Sequence, residues 1–101
     1  MSIIPDKARI AALCRRFNVR RLELFGSAAT GRFDPGHSDI DLLVEFAPMP
    51  AAAYAEAYFG LREALEAACG RPVDLVAGSA LENPHLIRRI AAEKRRLYPS
   101  P

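Results

Sequence analysis

Asp39 and Asp41 stand one residue apart at the head of an apolar alternation, DIDLLVEF, and a Gly26-Ser27 pair lies upstream in the stretch FGSAATGRFDPGHSDIDLLVEF. Two carboxylates at i and i+2 on a strand project from one face, roughly 6.5 Å apart along the backbone. Held together, like charges raise each other's cost of ionisation unless something positive sits between them. A divalent cation is the economical answer. Hard oxygen ligands favour Mg²⁺ or Mn²⁺, and magnesium characteristically completes its shell with water and substrate phosphates. A bare Asp-x-Asp is more simply read as two solvated acids at a strand mouth, so the pair does not decide by itself.

Three further features point to phosphate chemistry. Gly26-Ser27 follows a strand-like run and precedes a short helix, where glycine lets backbone N–H groups approach a phosphate and the serine hydroxyl can donate to it. Asp74 supplies a third acid on another strand, in "PVDLVA", opposite in parity to Val73 and Leu75. A sheet would bring these pieces to one edge. Three carboxylates and a phosphate cradle meet the needs of metal-assisted phosphoryl or nucleotidyl transfer: charge neutralisation, in-line geometry and an activated nucleophile.

The elements that must position these groups follow from period and punctuation. A first helix is expected from about Pro5 to Phe17, with Ile10, Leu13 and Phe17 on one face and Asn18 as a left-handed terminator. "RRLELFG" reads as a strand, with Leu22 and Leu24 on one side and Glu23 and Phe25 on the other. A loop, "TGRFDPGHS", leads to the second strand, where Ile40, Leu42, Val44 and Phe46 face opposite to Asp39, Asp41, Leu43 and Glu45. Ala51 to Cys69 is a helix capped by Gly70, with Tyr54, Tyr58, Leu61 and Leu65 at helical spacing. After the third strand, Ser79 with Glu82 competes with Asn83-Pro84 as a helix start. The last helix is expected at about Asn83 to Leu97, with Leu86, Ile87, Ile90 and Leu97 inward. The result is an α/β (α+β) chain, a small mixed sheet of three to four strands flanked by helices.

Composition narrows the class. The 101 residues imply a single domain, and a half-hydrophobic chain of that length carries one modest core. Fourteen basic against twelve acidic residues give +2, which argues against a general polyanion binder. There is no apolar run for a membrane span and no signal-peptide core in MSIIPDKAR. Cys14 and Cys69 lack metal-ligand spacing and read as buried free thiols in a reducing cytoplasm.

The 25–46 stretch resembles the signature of the minimal nucleotidyltransferase (MNT) domain, in the DNA polymerase beta-like superfamily: strand, Gly-Ser, loop, then Asp-x-Asp on the next strand. The similarity continues less strongly through "GRPVDLV" and "NPHLIRRI", and so covers most of the chain. Many members place ten residues between Gly-Ser and the first Asp. Here eleven intervene, Ala28 to Ser38, a change that a Gly/Pro loop tolerates if the strands keep register. The resemblance implies that Gly26 and Ser27 bind nucleotide phosphate and that Asp39 and Asp41 ligate the metals. Asp74 would be the third acid, holding one metal and helping to deprotonate the acceptor. It also implies ATP as substrate and a partner, since many small MNT proteins are antitoxins paired with a HEPN-domain ribonuclease toxin. Some inactivate the toxin by moving AMP onto a tyrosine.

The chain's size supports a partner independently, because about 100 residues leave little surface for an acceptor cleft once core and catalytic face are built. The expected reaction is in-line attack of a partner's hydroxyl on the α-phosphate of Mg-bound ATP, with pyrophosphate leaving. Thr30 and Arg32 are near enough to the turn to touch a triphosphate. His37 and Glu45 read as a solvated loop histidine and a structural acid, and Tyr54 and Tyr58 as core tyrosines with exposed hydroxyls. Arg88, Arg89, Lys94, Arg95 and Arg96 form the main rival signal. Lys94 to Arg96 suit a helix C-terminus, and with only Tyr98 nearby to stack bases a nucleic-acid face is disfavoured. The rival functions are an antitoxin that neutralises its toxin by binding alone and an RNA-binding accessory.

Overall fold

The computed structural model describes residues 4–32, 34, 39–78 and 81–99. Its elements run α1 (Lys7–Arg16), β1 (Val19–Phe25), α2 (Ser27–Thr30), β2 (Ile40–Phe46), α3 (Ala51–Cys69), β3 (Val73–Ala77), α4 (Pro84–Glu93) and β4 (Arg95–Tyr98). The strands form one mixed sheet in the order β3-β2-β1-β4. β1 is antiparallel to both β2 and β4, and β2 is parallel to β3.

The period-two pattern of β1 and β2 sets which face is buried. Leu22 lies opposite Val44, Leu24 opposite Leu42, and Leu42 beside Leu75. These residues pack with Ile10 and Cys14 of α1 and Ala57, Leu61 and Leu65 of α3 in one central cluster. Leu22, Ile40, Leu42, Leu61 and Leu65 are almost wholly buried, and each such side chain contributes about 1.5–3 kcal/mol of transfer free energy. The alternate residues form rows on the other face. Phe25, Asp41 and Asp74 are level across three strands, and Glu23, Leu43 and Val76 form the next row.

Local signals account for most boundaries. Asn18 takes the left-handed conformation, with φ 57°. Gly70 ends α3 in the same region. Asn83 caps α4 through a bond from the His85 N–H, with Pro84 in the first turn. α1 begins later than the proline suggested, because the Asp6 side chain accepts the Arg9 N–H at 2.9 Å and fixes the start there.

The C-terminus corrects the expectation of a helix to Leu97. α4 ends at Glu93, Lys94 turns extended, and β4 pairs with the outer edge of β1. Backbone groups at that edge are better satisfied by a fourth strand than left open. Lys94 is the C-cap of α4, and Arg95 and Arg96 belong to β4 and not to a helix end. The Lys94 side chain pairs with the buried Glu23 at 3.6 Å. Leu97 packs against the core from β4, whereas Ile87, expected inward, is exposed. Tyr58 departs too: its hydroxyl is not free in solvent but donates to the Leu75 carbonyl. Among the described residues no helix is long and apolar enough to cross a membrane.

Both cysteines are free thiols. Burial pushes Cys14 up to about 12, against a smaller lowering by Arg15, and burial also raises Cys69. Since the thiolate is the nucleophile, an aromatic disulfide reagent at pH 8 is expected to leave Cys14 untouched in the native protein and to label it only on unfolding. Prompt labelling of both thiols under native conditions would contradict that burial.

Candidate active site

The turn between β1 and α2 and the head of β2 meet at one point. Gly26 adopts φ 72° and ψ −154°, a backbone region that is nearly glycine-only. The Asp41 carboxylate lies directly against it: a Cβ at position 26 would overlap Asp41 Oδ2 and come within 3.1 Å of its Cγ. Ser27 opens α2, and Thr30 closes it by donating its hydroxyl to the Gly26 carbonyl at 3.1 Å. Of the expected site residues, Gly26, Ser27 and Asp41 are thus gathered by the β1–β2 pairing itself.

Asp74 joins them through the parallel pairing of β2 and β3, where it is the register partner of Asp41. Neighbouring strands run about 4.8 Å apart, so the two carboxylates leave adjacent backbone positions on the same face. Asp39 lies just before β2, two residues from Asp41, and is exposed, as is Asp74. Asp41 is half-buried, and its carboxyl is raised above its ordinary value. Burial is the main cause. Repulsion from Asp74 adds to it, Arg89 opposes it, and Asp39 and Glu93 raise it further.

At Asp41, burial and the neighbouring carboxylates outweigh the opposing charge of Arg89. Among the described residues, no group of three His, Cys, Asp or Glu side chains converges closely enough to hold a metal ion. The donor set still fits one: three hard carboxylates on one face, two of them exposed and free to change rotamer, with mutual repulsion that a divalent cation would relieve.

Sequence reasoning missed Glu93. At the end of α4, its carboxylate accepts the Gly26 N–H at 3.1 Å, an Arg32 guanidinium N–H at 3.2 Å and the Arg89 Nε–H at 3.3 Å. Arg32 is also held by Thr30, its Nε donating to Oγ1 at 2.9 Å. Arg32 is therefore beside the Gly-Ser turn as expected, but secured by a glutamate 61 residues away. No local pattern marks that pairing, which exists only once α4 is docked. The i,i+4 spacing of Arg89 and Glu93 was the one available hint.

Among the described residues, the other candidates except Arg89 have their contacts elsewhere. Glu45 forms an exposed pair with Arg20 at 3.7 Å. His37 and Ser38 lie outside the described residues. The basic cluster is dispersed, with Arg88 against His85, Arg89 on Glu93, Lys94 on Glu23, and Arg95 and Arg96 on the edge strand. It makes no continuous stripe of the kind a nucleic acid needs.

Comparison with known proteins identifies a family and similar folds. The model of the family described as "Nucleotidyltransferase domain" matches residues 8–98. The chain is 39% identical over 71 residues to the protein adenylyltransferase MntA of Thermococcus cleftensis, covering 70% of this chain and 68% of that protein. In fold it is similar to a chain from a crystal structure of a toxin–antitoxin with AMP-PNP, with TM-score 0.71, 24% identity, and 95% and 75% of the two chains covered. It is likewise similar to a chain from the complex of a tri-AMPylated Shewanella oneidensis HEPN toxin with its MNT antitoxin. There the TM-score is 0.61 at 24% identity, with 93% and 70% covered.

Proposed function

The chain belongs to the nucleotidyltransferase-domain family, and from that membership we propose that it is a protein adenylyltransferase that moves AMP from ATP to a tyrosine hydroxyl of a HEPN-type toxin, and so acts as an antitoxin in the cytoplasm. The observation that carries this reading is the seating of Asp41 on Gly26 with Asp74 level beside it. It makes the phosphate turn and the acidic strand heads a single site. The relative named as an adenylyltransferase, and the structures with an ATP analogue and an AMPylated toxin, support the substrate and the partner.

The residues divide the work. Ser27 would receive a phosphate oxygen at the turn, which the absence of a side chain at Gly26 lets come close, with the Gly26 N–H held by Glu93 and Arg32 beside them. Asp39, Asp41 and Asp74 would hold the divalent cation, Mg²⁺ or Mn²⁺, which when bound supplies charge neutralisation for the phosphates. The acceptor oxygen forms its bond to the α-phosphorus as the bond to the bridging oxygen of pyrophosphate breaks. Asp74, exposed at the rim, takes the hydroxyl proton.

The test is to incubate the chain and ATP with a co-expressed HEPN-type partner and weigh the partner intact. Mass increments of AMP that vanish with Asp39→Asn are expected. A tight complex whose partner stays unmodified with wild-type chain would refute transfer and favour neutralisation by binding.

A further inference from the structure

We propose that Arg89 is a ligand of the nucleotide's triphosphate and that Glu93 is the positioning residue that aims it, an assignment that rests on the nucleotidyltransferase reading of the site. Glu93 is only 17% exposed at its side chain, while Arg89 is 52% exposed. The buried member of the pair is thus the anchor and the arginine is the reaching group. Their contact uses Arg89 Nε. It does not consume the two terminal nitrogens, which form the fork that matches a phosphate's oxygens.

The same carboxylate accepts the Gly26 N–H. The anchored guanidinium is thereby tied to the turn expected to receive phosphate. Arg88, one residue away, differs on each count: it contacts His85 on its own helix.

A glutamate beside a phosphate site raises the question of sign. Arg32 and Arg89 both bind Glu93, so two cations and one anion leave a net single positive charge. Asp39, Asp41 and Asp74 outweigh that charge until a divalent cation neutralises them, so the trio favours a polyanion in the metal-loaded site, and the glutamate's effect is to restrict where the guanidiniums lie. Arg32 keeps a second anchor on Thr30. In Glu93→Gln the amide oxygen can still accept both the Gly26 N–H and the Arg89 Nε–H, which share Oε2. Arg89 then keeps a neutral bond but loses its ion pair, while Arg32 loses Oε1 and stays on Thr30.

The experiment is calorimetric titration of the full chain, in Mg²⁺, with an ATP analogue blocked between the α- and β-phosphates, and with AMP. Arg89→Lys, which keeps the charge but removes the fork, is expected to weaken the analogue by about tenfold and AMP by less than about twofold. Glu93→Gln, which leaves Arg89 a neutral acceptor in place of the ion pair, should give a smaller loss of the same selectivity with the thermal midpoint preserved. The double variant should lose little more than Arg89→Lys alone, because the part of the Glu93 effect that distinguishes the analogue from AMP runs through Arg89. Equal weakening of AMP and the analogue, additive losses, or tighter binding by Glu93→Gln would each overturn the assignment. Wild-type binding unaltered by Arg89→Lys overturns this inference alone. A wild-type chain that binds no analogue overturns the proposed function with it.

Discussion

Replacing Asp41 with Asn is expected to end nucleotide transfer while leaving the metal-free protein at least as stable as the wild type. The two halves have one cause. Asp41 is half-buried with Asp39 and Asp74 close by, and its carboxyl is raised by burial first and by Asp74 next. For an acid whose folded pKa lies above its unfolded value, the folded state binds the proton more tightly. Between those two values the folded protein therefore carries more protons than the unfolded chain, and stability falls as pH rises through that window. Above it the charged Asp41 is a standing destabilisation, relieved only on acidification. Asparagine is nearly isosteric and cannot ionise, so the variant should lose this pH dependence. Thermal denaturation in chelator across the carboxylate range would reveal it. A variant markedly less stable than wild type at neutral pH would mean that Asp41 has a favourable partner. Transfer should drop on the order of 100-fold or more, since loss even of groups that merely support a metal ligand commonly costs 10- to 100-fold. AMP incorporated into the co-expressed partner gives the measurement, and near-normal incorporation would remove Asp41 from the metal site.

The parts of the site that could be read in advance are those set by local rules. Strand parity put Asp39, Asp41 and Asp74 opposite the apolar residues, and the sheet keeps that division, with Ile40, Leu42, Val44 and Leu75 buried behind them. The left-handed Asn18 and Gly70 followed from residue type. What could not be read depends on distant segments meeting. "EKRRLY" has the charge of a helix end, yet the unpaired edge of β1 draws Arg95–Tyr98 into a strand. That shortening leaves Glu93 as the last residue of α4, against a turn 67 residues earlier in the chain. The error about the helix and the omission of Glu93 are thus a single miss. A helix running on to Leu97 gives no reason to look for a carboxylate on the Gly-Ser turn.

Gly26→Ala should damage both the fold and the reaction, and Gly31→Ala provides the internal control. Both glycines have positive φ, 72° and 79°, so each alanine incurs conformational strain. At Gly31 the backbone is in the ordinary left-handed region and an added Cβ meets nothing within 4 Å among the described residues. Its cost should stay near about 1 kcal/mol. At Gly26 the ψ of −154° belongs to a region that side chains scarcely enter, costing about 1–3 kcal/mol, and the new methyl would also overlap the Asp41 carboxylate. Neither neighbour yields easily. Asp41 is fixed in the β1–β2 ladder opposite Phe25, and the turn is tied to Glu93 through the Gly26 N–H. The carboxylate must swing away or the turn must open, and either movement separates the phosphate-binding backbone from the acidic strand heads. A thermal midpoint lower by roughly 10–20 °C follows, taking about 4–8 °C per kcal/mol for a domain of this size, together with loss of ATP-analogue binding. Gly31→Ala should lose only a few degrees and keep its affinity. Equal effects of the two alanines would mean that strain at positive φ accounts for everything, and that the contact between Gly26 and Asp41 plays no part in assembling the site.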